Sequence, residues 1–245
     1  MRKMAVILFS LASFPFLLAK DWNQFRGPTG QGHAEWNDLP LKWNRKDSVE
    51  WKTELPGKAW SSPIRVSGSL ILTNAIEVEG GLALEVLALD SASGKKEWRG
   101  TLFEHDDSPR IHKKNSHASP TPFYDGERIF VHFGNLGTAC LSTGGQVIWK
   151  KSFHYSPVHG SGSSPVVHGD LLLFSADGAK NPCLYALDKK TGEVKWRANR
   201  ESEAKRKFSF CTPLVISSNG KYQIISPASD YVFSYDLKGN QLWKS

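Results

Sequence analysis

Residues 186–196 read Ala186-Leu187-Asp188-Lys189-Lys190-Thr191-Gly192-Glu193-Val194-Lys195-Trp196. The stretch predicts a strand, a tight turn and a second strand. Asp188 closes the first strand and can accept hydrogen bonds from the turn backbone, while Gly192 supplies a positive φ without steric cost. Val194 and Trp196 then alternate along the second strand. The unit recurs along the chain. Asp90, Gly94 and Trp98 repeat it at the same offsets, after Ala88-Leu89. Ala139, Gly145 and Trp149 repeat it with Leu141 in the Asp position, and Asp236, Gly239 and Trp243 repeat it with a turn one residue shorter. Trp51, after Val49, reads as the second strand alone. The five tryptophans stand 47, 51, 47 and 47 residues apart. A period in the forties built from β-units predicts an all-β chain folded as a β-propeller.

Working outward, each repeat opens with Ser or Thr before Pro: Ser62-Pro63, Ser119-Pro120, Ser164-Pro165 and Thr212-Pro213. Proline at the start of a strand removes no ladder bond. Gly-containing turns follow at Gly68-Ser69, Gly126-Glu127, Gly169-Asp170 and Asn219-Gly220, each leading into an apolar strand. Four antiparallel strands per repeat make one blade, so blades are expected at about 57–104, 114–153, 157–199 and 206–245. Residues 48–54 are expected to be an orphan outer strand, and residues 20–47 an irregular lead-in. Trp98, Trp149 and Trp196 have the area to pack between neighbouring blades.

The 245 residues carry a formal net charge of +7. Met1 to Ala19 opens with Arg2 and Lys3 and continues as an apolar run, which predicts a secretory signal peptide over 1–19 and a periplasmic or secreted chain. No later apolar segment is long enough to cross a membrane. Without the leader the net charge is about +5, a modest basic excess that reads as a solvated surface and not as a nucleic-acid footprint. Cys140, Cys183 and Cys211 form an odd set with no CxxC spacing and are expected to be buried small hydrophobes.

The motif Ala-Leu-Asp-x-x-Thr-Gly-x-x-x-Trp resembles the repeat of pyrroloquinoline-quinone-like (PQQ-like) β-propellers. Three further stretches resemble exported, planctomycete-like bacterial members of that superfamily: Trp22-Asn23-Gln24-Phe25-Arg26-Gly27-Pro28, Gly57-Lys58-Ala59-Trp60-Ser61-Ser62-Pro63 and Asn115-Ser116-His117-Ala118-Ser119-Pro120. The resemblance covers residues 21–245. It implies fold more than function, because the superfamily includes quinone-dependent dehydrogenases and non-catalytic scaffolds. The dehydrogenases use adjacent cysteines, a calcium ion and an Asp base. This chain has no adjacent cysteines, and no calcium ligand or Asp base carries over to a numbered position. PQQ with calcium is therefore expected only if the chain is an oxidoreductase; otherwise no cofactor is expected. One non-catalytic relative is the propeller subunit of the outer-membrane barrel-assembly machinery, a lipoprotein; no lipidation cysteine follows the leader here.

In a propeller the innermost strands start around one end of the central channel. The third residue before each strand-starting proline is Trp60, His117, Gly162 and Phe210, and further back lie Lys58, Lys114, Asn115, His159, Ser161, Lys207 and Phe208. This basic, aromatic and amide-rich rim, chiefly Lys58, Trp60, Asn115, His117, His159, Lys207 and Phe210, is the candidate site for a protein or a small anionic or planar ligand. His105, Asp106, Asp107, His112 and His117 match no compact zinc pattern, so no metal is expected. Gly160-Ser161-Gly162-Ser163-Ser164 lacks the lysine of a phosphate loop. The functional expectation is a non-catalytic binding or interaction module, with a quinone-dependent oxidoreductase and an envelope-assembly scaffold as alternatives. Seven- and eight-bladed rings are usual for this repeat. Four blades and an orphan strand thus predict an open arc with edges exposed at blades one and four.

Overall fold

A computed structural model describes residues 21–34, 40–44 and 46–245. The expected signal peptide, and Trp36 and Leu39 of the lead-in, lie outside the described residues. Among the described residues, sixteen strands form four separate four-stranded antiparallel sheets in sequential order. Blade one comprises β1 (Ile64–Val66), β2 (Ser69–Val78), β3 (Gly81–Asp90) and β4 (Lys96–His105). Blade two comprises β5 (Phe123–Tyr124), β6 (Arg128–His132), β7 (Thr138–Ser142) and β8 (Val147–Lys151). Blade three comprises β9 (Val166–His168), β10 (Leu171–Ala176), β11 (Cys183–Asp188) and β12 (Val194–Asn199), and blade four β13 (Leu214–Ser218), β14 (Lys221–Pro227), β15 (Val232–Tyr235) and β16 (Gln241–Lys244). Among the described residues there is a single 3₁₀ turn at Gly134–Leu136 and no α-helix, and no helix is long and apolar enough to cross a membrane.

Strand register makes the repeat sharper than the sequence does. Ile71 pairs with Ala88 and Ala88 with Trp98; Phe130 pairs with Cys140 and Cys140 with Trp149. Leu173, Ala186 and Trp196 form the third such row, and Ile225, Ser234 and Trp243 the fourth. A bulge follows the central residue of every row. The expected alignment of blade two is therefore one residue off. Ser142, not Leu141, occupies the Asp position, because Leu141 is fully buried and a one-residue slip would turn it to the other face. Ser142 accepts the Gln146 N–H through its Oγ at 3.1 Å, as Asp236 accepts the Asn240 N–H through Oδ1 at 2.9 Å.

The inner strands correct the proline alignment as well. Ile64, Phe123, Val166 and Leu214 pair with the first residues of their rows. The equivalent dipeptides are thus Ser62-Pro63, Thr121-Pro122, Ser164-Pro165 and Thr212-Pro213, and Ser119-Pro120 is displaced by two positions. The hydroxyls at these positions form a relay across the blades. Thr121 Oγ1 accepts from Ser62 N–H at 3.2 Å, Ser164 Oγ from Thr121 N–H at 2.9 Å, and Thr212 Oγ1 from Ser164 N–H at 3.0 Å. Short strands starting after proline leave backbone donors without ladder partners, and the next blade's hydroxyl satisfies them.

Between blades, each motif tryptophan lies over the glycine of the next blade's turn. A Cβ on Gly94, Gly145, Gly192 or Gly239 would come within 2.3, 2.8, 2.7 and 2.7 Å of Trp51, Trp98, Trp149 and Trp196 respectively. Trp51, Trp149 and Trp196 donate Nε1–H to the carbonyls of Ser91, Lys189 and Leu237 at 3.0–3.1 Å. Trp149 is buried, Trp98 and Trp196 half-buried, and Trp243, beyond which no blade is described, is 41% exposed. The segment 48–54 docks Trp51 and Thr53 on blade one as an outer strand would, with Thr53 Oγ1 donating to Gly94 O at 2.6 Å. It is nevertheless not a strand, since no described residue pairs with its backbone. Cys140 and Cys183 are buried free thiols, as expected; Cys211 is free and exposed, contrary to expectation, because it sits on the loop entering β13 and lines a cleft.

Candidate functional site

The loops that enter the inner strands gather at one end of the blades. Asn115 ties two of them together: its Nδ2 donates to His159 O at 2.8 Å and Ser161 O at 3.2 Å, and its Oδ1 accepts from Ser116 N–H and Ser119 Oγ–H. An edge-to-face ladder then crosses three loops. His112 meets His159 at 5.0 Å between ring centroids, His159 meets Phe208 at 5.1 Å, and Phe208 meets Phe210 at 5.8 Å. Such ring pairs hold loops by shape and quadrupole contact without covalent links. Trp60 is 50% exposed on the blade-one loop and Phe210 42% exposed on the blade-four loop.

The seven candidate residues do not line one cavity. Lys58 and His117 line a cleft of about 250 Å³ with Glu77, Ser116 and Ile111. Lys58 Nζ pairs with Glu77 at 3.3 Å. Burial, with Lys58 and His105 nearby, holds the His117 imidazole below the ordinary histidine range, and its Nε2 is buried without a hydrogen-bond partner. Lys207 lines a second cleft of about 440 Å³ with Asn181, Arg200, Tyr231 and Lys244. Phe210 lines a third, of about 780 Å³, between the lead-in and the inner edges of blades three and four. Asn115 and His159 join the loops and line none of these clefts. With blade two realigned, His117 no longer shares the register of Trp60 and Phe210; Ser119 takes that position.

Two features have no counterpart in the sequence expectations. Beneath the second cleft, Arg200 and Asp177 form a wholly buried pair, Nη1 to Oδ2 at 2.5 Å. Arg200 Nη2 also donates to Ser175 Oγ at 3.2 Å and to Ser226 Oγ of blade four. Burial pushes the Asp177 carboxyl up to about 6, against the pull of Arg200. Nothing in the sequence singles out these residues, since single Asp and Arg residues in loops are ordinary surface chemistry. The second feature is the lead-in. Trp22 and Arg65 exchange backbone hydrogen bonds at 3.0 and 2.9 Å, and Tyr124 N–H donates to Asn23 O at 2.8 Å while Asn23 Nδ2 donates to Tyr124 O at 3.0 Å. The Trp22-to-Pro28 stretch is thus an added partner for the inner edges of blades one and two. Gly27, Gly30, Gly32 and Pro28, within and just after it, hide this from any period-two pattern.

Among the described residues, no group of three or more His, Cys, Asp or Glu side chains stands close enough to hold a metal ion. No two cysteines are adjacent in the sequence.

Residues 83–245 match the family model described as outer membrane protein assembly factor BamB. Solved structures with the same fold include a europium-containing methanol dehydrogenase, 13% identical at a TM-score of 0.62 over 91% of this chain and 48% of that one. Another is the quinohemoprotein alcohol dehydrogenase from Comamonas testosteroni, 12% identical at 0.63 over 92% and 41%. BamB from Moraxella catarrhalis aligns over 78% of this chain and 62% of its own, at 14% identity and a TM-score of 0.46. The chain thus spans between two-fifths and two-thirds of the length of these proteins. No curated protein sequence matches it.

Proposed function

The chain belongs to the PQQ_2 family, described as outer membrane protein assembly factor BamB, and from that membership and the geometry of the loop end we propose that it is a non-catalytic protein-interaction module of the bacterial cell envelope. The observation that carries the reading is the loop end itself. Loops of three blades are locked together by the His112–His159–Phe208–Phe210 ladder, and Trp60 is half-exposed on the corresponding loop of blade one. A rigid platform with exposed aromatic side chains and a basic fringe suits a protein partner, for which buried aromatics act as anchors. The platform holds no nucleophile–base pair in hydrogen-bond reach among the described residues, so it favours recognition over covalent chemistry.

The experiment places a photo-crosslinking amino acid at Lys58 and at Lys221, the latter the first residue of β14, next to the β13–β14 turn at the opposite end of the blades. Envelope extract is then irradiated with each variant. The expected result is one crosslinked protein from position 58, lost in Trp60→Ala, and none from position 221. The oxidoreductase alternative is tested on the same preparation by adding PQQ and calcium and following dye reduction with alcohols or sugars. A bound chromophore with dye reduction would replace the interaction reading.

A further inference from the structure

We propose that the cleft of about 780 Å³ at the inner edges of blades three and four is a second, independent binding site, for an extended acidic peptide segment that adds to the sheet edge. The argument starts from register. Arg65 in blade one, Tyr124 in blade two, Val167 in blade three and Val215 in blade four are equivalent, each being the residue after the one that opens its inner-strand pairing. In an antiparallel ladder every second residue turns its N–H and C=O away from its partner. At Arg65 and Tyr124 those outward groups are taken by the chain's own lead-in, through Trp22 and Asn23. At Val167 and Val215 no described residue takes them, and both valines line the cleft.

Among the described residues the binding mode is thus filled on two of the four inner edges and left open on the other two. Peptides commonly bind by this kind of strand addition, with backbone bonds giving affinity and flanking pockets giving selectivity. The cleft has the volume of a ligand site. Its floor is apolar, with Phe123, Leu214 and Ile225 placed to receive alternate side chains. Its titratable lining consists of Arg26, His168 and Cys211, with no Asp or Glu. An acidic segment therefore complements it, and the basic balance of the whole chain adds attraction at a distance. The site borders the Trp60 platform at Phe210, which lines the cleft, but its occupant is an extended strand and not a folded surface.

The test uses the purified chain and synthetic fluorescein-labelled peptides: acetyl-Asp-Val-Thr-Val-Asp-amide, the same peptide N-methylated at threonine, and acetyl-Lys-Val-Thr-Val-Lys-amide. Anisotropy reads affinity. Cys211 supplies a built-in footprint, since it is the exposed thiol of the cleft while Cys140 and Cys183 are buried; its alkylation by N-ethylmaleimide is followed by mass spectrometry. The expected result is binding of the acidic peptide with protection of Cys211, about tenfold weaker binding after N-methylation, and a reversed charge preference in Arg26→Glu. Equal affinity of the N-methylated peptide, unprotected Cys211 at saturation, or no binding of the acidic peptide would each overturn the proposal. None of these outcomes touches the crosslink at Lys58, so the two readings fail separately.

Discussion

At the scale of the residue, the motif is a contact between a tryptophan ring and a turn that has no room for a side chain. Gly192 has φ +75° and its missing Cβ would fall 2.7 Å from the Trp149 ring. Gly169 has φ +57° but open space around it. Gly192→Ala is therefore expected to cost about 2–4 kcal/mol, from backbone strain and overpacking together, and Gly169→Ala only about 1 kcal/mol. Denaturant midpoints of the two variants check this, and equal shifts would mean that the ring contact contributes nothing. The same logic ranks the tryptophans. Trp149→Ala empties a buried site and is expected to cost about 3–5 kcal/mol, while Trp243→Ala, at 41% exposure, is expected to cost less than about 1 kcal/mol in the monomer.

At the scale of the element, blades meet through buried polar and aromatic groups whose protonation matters. His132 on β6 is fully buried, its ring tilted by 30° against Phe174 of blade three at 4.2 Å between centroids, with Nδ1 2.8 Å from Thr138 Oγ1. Burial drives its imidazole down to about 3. Because the folded value lies below the unfolded one, this histidine's contribution is present above about pH 6.5. It is lost as pH falls toward 3, at roughly 1.4 kcal/mol per pH unit. Asp177 has the opposite sign. Its raised carboxyl favours the folded state below pH 4, and that contribution is lost as pH rises through about 6. The readout is therefore the difference between wild type and His132→Phe. The variant is expected to lack the acid-side loss between pH 6.5 and 4, with a pH-independent offset from the unpartnered Thr138 hydroxyl. Parallel stability curves for the two proteins would refute the assignment.

At the scale of the whole molecule, four blades form an open arrangement whose two end faces differ. Blade one is covered by the 48–60 segment, where Leu55 and Ala59 pack on Leu72, Leu87 and Leu89. On blade four, Leu242 and Trp243 are 49% and 41% exposed. The 245-residue polypeptide is accordingly expected to self-associate with rising concentration, and Trp243→Ser to reduce that association, as read by light scattering. A monodisperse wild-type monomer at all concentrations would overturn this expectation. By itself the sequence determined the repeat, the four-stranded blades and the recurrence of a turn glycine and a tryptophan in each blade, though not that each tryptophan lies over the glycine of the next blade. These depend on local turn chemistry and side-chain alternation, which are written in consecutive residues. Only the tertiary structure decided the register of blade two, because Leu141 and Ser142 are distinguished by which face the neighbouring blade buries. It alone decided that Arg200 and Asp177 meet, that the lead-in serves as an edge partner, and that the candidate residues share no single cleft. Those arrangements join residues dozens of positions apart, where no spacing along the chain records the contact.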